Sequence, residues 1–240
     1  MIFLYHTIFY DPLLNLLVVL YKTIAFSDLG LAIVFLTVLI RLILFPIFQK
    51  SARYQIVMQR LQPKVAELQK RHKDDKAKQT EALLSLYKEN KTNPFSGFLY
   101  ILLQLPILIA LYQIFLNILK PEVFERLYGF VAAPGVLNTT FLGLINLSLP
   151  SILMVGLAAA GQYFQIKTAL PKLEDGKQLS VQEKASRRMA FIAPALTVFI
   201  FYKLPAAVGL YWLTASIFSI IQQELIQRNI KKDEQLGRTD

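Results

Sequence analysis

Apolar residues along this chain fall into long runs that polar segments separate. Leu29 to Phe48 is an apolar run whose single charge is Arg41. A second covers Phe95 to Leu119, opened by Asn93-Pro94 and closed by Lys120-Pro121. A third spans 140–166, with Pro150 inside it and small residues at Gly156, Ala158, Ala159, Ala160 and Gly161. A fourth, Met189 to Tyr202, is short, and a fifth runs from Ala206 to Ile226 after a tight turn at Lys203-Leu204-Pro205. Runs near 20 residues match the thickness of a bilayer core. The pattern therefore predicts an all-α polytopic membrane protein with five transmembrane helices.

Two further stretches complete the organisation. Residues 1–28 hold a run from Leu13 to Phe26 that Asn15 and Lys22 interrupt. Its 14 residues would rise only about 21 Å as a helix, so it predicts an interfacial helix rather than a span. Six spans are the alternative. Residues 49–94 are rich in Lys, Glu, Gln, Leu and Ala, the composition of helix. Apolar positions at Ile56, Leu61, Val65 and Leu68, then Leu83, Leu84, Leu86 and Tyr87, flank a turn at 73–76. They predict an αα-hairpin standing off the membrane, with Pro63 kinking or restarting its first helix.

Composition agrees: 55% of the 240 residues are hydrophobic and the mean hydropathy is +0.44. The absence of cysteine excludes disulfides, thiolate metal sites and a cysteine nucleophile. The start of the chain shows no ordinary cleavable signal. The net charge of +10 is placed by topology. Loops 49–94, 167–188 and 227–240 hold 21 Lys and Arg, whereas 1–28, 120–139 and 203–205 hold 4. The positive-inside rule then puts the hairpin and the tail 227–240 in the cytoplasm and the N-terminus outside. A basic hairpin suits anionic headgroups, or acidic and RNA-bearing partners such as ribosomes; no specific nucleic-acid sequence is implied.

Arg41 is the candidate functional residue. Seven residues before Phe48, it would lie about 10 Å inside the end of its span, where a charge costs roughly 3 kcal/mol. The spans offer no carboxylate partner; Glu224 lies near the end of the last. Snorkelling covers only part of that depth. Polar side chains could solvate it: Thr37 one turn before, Gln104 and Gln113 in the second span, Gln162 and Gln165 in the third, and Thr214, Ser216 and Ser219 in the fifth. Together they predict a hydrated, positive groove open to the cytoplasm. The short fourth span would let the bilayer thin beside it. A secondary transporter or channel is the alternative, but neither midplane carboxylates nor internal repeats are present. No P-loop, nucleophile motif or metal motif is visible, so no catalytic residue, cofactor or metal is expected.

Several motifs, in order, resemble one family. The run from Gly30 to Arg41 (GLAIVFLTVLIR) with Phe45-Pro46 is similar to the first core span of YidC-type membrane protein insertases, the bacterial relatives of the mitochondrial oxidase-assembly and thylakoid insertases. The similarity continues through Leu61-Gln62-Pro63, Asn93-Pro94, Gln104-Leu105-Pro106-Ile107, Leu204-Pro205-Ala206, Leu210-Tyr211-Trp212 and Ile221-Gln222-Gln223. Two positions depart from the family: Ala207 where glycine is frequent, and Ser216 where asparagine is common.

The resemblance implies an insertase and chaperone that receives nascent membrane proteins in a cytoplasm-open groove and releases their spans into the lipid bilayer. Arg41 would be the groove arginine with Thr37 its neighbour. Tyr211 and Trp212 would line the substrate path, and Gln162 or Gln165 would contribute from the third span. The hairpin, including Pro63, Lys64, Lys70, Arg71 and Lys73, would meet ribosomes or targeting factors, and a Sec translocon is a possible partner. The chain resembles a short form without the large periplasmic domain of some members, in a bacterial cell membrane.

Overall fold

The computed structural model describes residues 2–90, 96–170 and 181–235. Asn93-Pro94 and most of the polar loop after the third apolar run lie outside them. The described chain is mostly helical, with one two-stranded sheet. The N-terminal helix is α1 (Ile2–Tyr5), a π-helical stretch (His6–Tyr10) and α2 (Asp11–Thr23). Then come α3 (Leu29–Ile43), α4 (Phe45–Arg71), α5 (Lys76–Glu89) and α6 (Ser96–Asn117). A 3₁₀ turn (Pro121–Arg126) leads to β1 (Thr140–Phe141) and β2 (Ile145–Asn146), and α7 (Ile152–Ala169), α8 (Val181–Phe201) and α9 (Ala206–Gln235) follow. The central helix is α9, which packs on α7, α3, α4 and α6; α8 packs on α7.

Four expectations change. The N-terminal helix starts at Ile2, so Phe3–Thr23 is long and apolar enough to cross a membrane. The first run is not one straight helix: it breaks at Leu44, and Phe45–Ser51 leaves at 65° to Leu29–Ile43. Pro46 explains the break, since its ring clashes with the carbonyl four residues back, at Leu42, and it has no N–H to donate there. The third run is helical only from Ile152, because Pro150 stops it and residues 140–146 form the hairpin instead. The fourth helix extends back to Val181 through Arg187 and Arg188, giving 21 residues or about 31 Å. Shortness of that helix is therefore no ground for a thinned bilayer. Among the described residues, Ala206–Asn229 is also long enough to span, and the bent pair makes a third candidate.

The hairpin is present, with one modification: α4 runs unbroken across Pro63. Leu61, Val65 and Leu86 are buried against Val57, Leu68, Leu83 and Tyr87, whereas Leu84 is exposed. Asp75 caps α5 by accepting from the Lys78 N–H at 3.0 Å. That bond chiefly holds the carboxyl below the usual carboxylate range. A depressed folded pKa stabilises above the ordinary carboxylate range and is lost as pH falls through it.

One end of the bundle is closed by residues 121–151. Asp28 organises the closure with both carboxylate oxygens. Oδ1 caps α3 by accepting from the Leu31 N–H (3.0 Å), and Oδ2 accepts from the Leu142 N–H (2.7 Å). The Leu29 N–H reaches the Asn138 carbonyl (3.2 Å), and the Ala206 and Ala207 N–H groups of α9 reach Leu149 and Leu147 (2.9 and 3.1 Å). Thus the loop accepts from exposed helix N-termini, which would otherwise lack partners. Gly30 admits Phe141 so closely that a Cβ there would lie 2.1 Å from its ring.

Replacing Asp28 removes a cap and strands the Leu142 N–H. Asp28→Ala is expected to cost about 2 kcal/mol, read as an earlier thermal unfolding midpoint in detergent. Asp28→Asn, which keeps one good acceptor, should lose roughly half as much.

Candidate functional site

Arg41 sits two residues before the end of α3. Its position differs from the expected one, because the helix ends at Ile43 rather than continuing to Phe48. The guanidinium is therefore about 3 Å of rise from a helix C-terminus, where the macrodipole favours cations by roughly 0.3–1 kcal/mol. The bend at Leu44 also brings Phe48 back, with the Arg41 Cζ 4.9 Å from its ring centroid. Only 7% of Arg41 is exposed, and Phe48 is buried as well. A desolvated cation over an aromatic face gains up to about 2 kcal/mol. The elements that flank Arg41 thus offset a good part of its burial.

The other expected site residues divide among several interfaces. Thr37 is buried, and its hydroxyl donates back to the Ile33 carbonyl at 2.6 Å. Thr214 and Ser219 likewise donate to Leu210 and Ala215, each at 2.8 Å. Hydroxyls bonded within their own helix need no other solvent. Gln113 accepts from the Tyr5 hydroxyl at 3.0 Å, tying α6 to the N-terminal helix.

Gln104 and Tyr211 do come together: the Gln104 Nε2 donates to the Tyr211 hydroxyl at 2.6 Å, joining α6 to α9. The Trp212 ring meets Phe201 edge to face at 5.3 Å, between α9 and α8. The two third-span glutamines are also placed. Gln162 accepts from the Thr197 hydroxyl of α8. Gln165 is half-buried and one turn beyond Gly161, whose missing Cβ lets Leu213 and Ser216 of α9 approach. Helical spacing therefore turns Gln165 toward α9 and Gln162 toward α8. Ser216 is buried in that α7–α9 contact.

Sequence reasoning did not single out other polar groups at the bent end. Ser51, Gln222 and Gln223 are buried on α4 and α9. Gln222 Nε2 donates to the Phe45 carbonyl at 3.4 Å. There the Ser51 hydroxyl and the Gln223 Nε2 are buried without a hydrogen-bond partner; so is the Trp212 Nε1, which lies near the start of α9, at its opposite end. Glu224 is exposed and lies 3.9 Å from Arg228. On the hairpin, Pro63, Lys64, Lys70, Arg71 and Lys73 are all exposed. The helix break, which decides where Arg41 stands, had its signal in Phe45-Pro46.

A model of the 60Kd inner membrane protein family matches residues 19–234. This chain belongs to that family. Its insertase relatives include the membrane protein insertase YidC of Clostridium tetani, 34% identical over 83% of this chain and 81% of that protein. The YidC proteins of Actinobacillus pleuropneumoniae and Aeromonas salmonicida are 34% and 32% identical over 86% and 85% of this chain. The chain spans 34% and 33% of their lengths. The crystal structure of an active YidC insertase, with its first transmembrane domain resolved, matches with a TM-score of 0.59 at 25% identity, covering 90% of this chain and 45% of that one.

Family members vary in length, but the match covers the elements that build the Arg41 site. Phe48→Leu keeps apolar bulk and removes the ring beneath the guanidinium. It is expected to lower stability in detergent by about 1 kcal/mol. In an Arg41→Met background the same change should cost little, so a double-mutant cycle isolates the contact.

Proposed function

We propose that this chain is a membrane protein insertase whose working site is a hydrated groove between α3, α6 and α9. The observation that carries this reading is the burial of Arg41 at the bent end of α3. A permanent charge enclosed by apolar helices is costly in lipid, and such residues mark functional cavities. The buried Ser51 and Gln223 polar atoms add support, since buried polar atoms without protein partners call for water. The groove opens toward the hairpin; the loop held by Asp28 closes the opposite end. With basic loops inside, the hairpin end is cytoplasmic and the chain sits in a bacterial cell membrane with its N-terminus outside.

In this reading α3, α6, α7, α8 and α9 cross the bilayer. The N-terminal helix has the length to cross too, but its neighbours argue otherwise. Residues 126–132 run beside α2: Arg126 pairs with Asp11 at 2.9 Å, the Tyr128 N–H donates to Asn15 at 2.7 Å, and Lys22 donates to the Ala132 carbonyl at 3.2 Å. Irregular backbone is not tolerated against lipid tails, so this helix lies in the outer interface.

The groove would shorten the apolar barrier that a substrate's polar flank must cross. The Arg41 charge attracts acidic residues of that flank, more strongly than in water. The substrate's apolar span then leaves sideways into lipid, a downhill step. The exposed basic hairpin receives nascent chains, with ribosome, targeting factors or a Sec translocon as partners.

Cells depleted of their own insertase test the charge directly. Arg41→Lys should support insertion of a small substrate with an acidic translocated tail, Arg41→Ala should reduce it about tenfold, and Arg41→Glu should abolish it, since ~1.4 kcal/mol corresponds to a factor of ten. Full activity of Arg41→Ala on that substrate contradicts the charge-attraction account.

A further inference from the structure

Two turns meet at Asp28, and each holds a large apolar residue in a conformation that side chains avoid. In the first, the Asp28 N–H bonds to the Ala25 carbonyl (2.9 Å) and the central residues Phe26 and Ser27 have φ of 50° and 59°. In the second, the Leu144 N–H bonds to the Phe141 carbonyl (2.9 Å) and the central residues Leu142 and Gly143 have φ of 51° and 71°. Positive φ at both central positions is the type I′ pattern, which favours asparagine and glycine. A phenylalanine and a leucine there cost about 1–2 kcal/mol each. Neither offsets this by burial: Phe26 is 88% exposed and Leu142 is 58% exposed. Asp28 holds both turns, since it follows the first directly and accepts from the Leu142 N–H of the second.

The surrounding loop shares this character. Residues 129–151 contain no charged side chain and no histidine. Phe130, Val136 and Leu144 are exposed by 83%, 96% and 83%. The loop's polar groups are largely turned onto one another. Asn146 Oδ1 accepts from Thr139 and from the Ser148 hydroxyl and N–H, and Asn138 Oδ1 accepts from the Thr140 N–H. A loop meant for water has no reason to pair its polar groups with one another and expose its apolar ones. A loop meant for the headgroup–acyl boundary has both reasons.

We propose that Phe26, Leu142 and Leu144, aimed by the Asp28 clamp, form an apolar wedge that seats in the outer-leaflet interface. The occupant is lipid. The wedge continues the bilayer surface that α3 and α9 meet, because the adjoining Asp28 caps α3 and the Leu147 and Leu149 carbonyls of the same loop accept from the first N–H groups of α9. Seated there, it fixes how deep the closed end of the bundle sits. Residues of this kind bury about 5–10 Å into the headgroup–acyl boundary. The proposal rests on the reading that the helical bundle crosses the membrane.

Because the chain has no cysteine, single-cysteine variants Phe26→Cys and Leu144→Cys can carry an environment-sensitive NBD fluorophore. The purified full chain is placed in vesicles of phosphatidylethanolamine and phosphatidylglycerol. Leu196→Cys, on the exposed face of α8, reports the span, and Glu81→Cys, on the exposed hairpin, reports water. At Phe26 and Leu144 a nitroxide near the headgroup should quench about threefold more than iodide does, as shallow burial demands. Leu196 should be quenched by a nitroxide deep in the chains, and Glu81 by iodide alone. Iodide quenching at Phe26 and Leu144 equal to that at Glu81, with Leu196 still deep, overturns the wedge and leaves the membrane reading standing. An unquenched Leu196 overturns the membrane reading. A shift at Phe26 or Leu144 that appears only on adding a second protein shows a protein occupant and also overturns the proposal.

Discussion

A guanidinium does not lose its proton in a protein, so Arg41 is charged wherever the chain puts it. The helices around it are arranged to accommodate that charge. Pro46 ends α3 just after it, so the helix dipole's negative end lies beside the cation. The 65° bend at Leu44 then folds Phe48 over the guanidinium plane. Without the bend, Arg41 would sit two turns inside an apolar rod, as the linear sequence suggests. With it, the charge stands where a helix ends and buried polar groups from α4 and α9 gather. One proline's sterics thus set one charge beside buried polar side chains in a largely apolar bundle.

The opposite end answers a different need. Helices α3, α7 and α9 begin there, and their first N–H groups require acceptors. Asp28, Ser151 and the carbonyls of Asn138, Leu147 and Leu149 supply them. The same loop that satisfies these donors covers the helix ends, so capping and closure are one structure. The helix starts at one end are capped and covered, and the bent end gathers buried polar side chains.

How much of this was legible depended on what each signal encodes. Apolar runs marked where helices lie, and the hairpin's apolar spacing named Leu61, Val65 and Leu86 correctly. Run ends were less informative. The third run absorbed a β-hairpin, because Phe141, Leu142 and Ile145 are as apolar as a span; only Pro150 hinted otherwise. The fourth helix was cut short at Met189, because charge marks the edge of lipid and not the edge of a helix. At the site, Arg41 stood out from its cost alone. Which polar residues share its surroundings did not, since hydroxyls such as Thr37 and Thr214 can bond within their own helix, and helical spacing from one chain leaves open which neighbour each face meets. Asp28 was not singled out in the sequence, and its bond to a residue 114 positions later belongs to tertiary structure.

Sidedness of access to the polar end is the most direct test. Gln223→Cys lies beside Gln222, which reaches Phe45 at the bend, and Asn138→Cys lies in the loop at the opposite end of the bundle. In oriented membrane vesicles, a charged, membrane-impermeant thiol reagent should label Gln223→Cys from the hairpin side only, and Asn138→Cys from the opposite side only. Labelling of Gln223→Cys from both sides, or from neither until detergent is added, contradicts a groove open at one end.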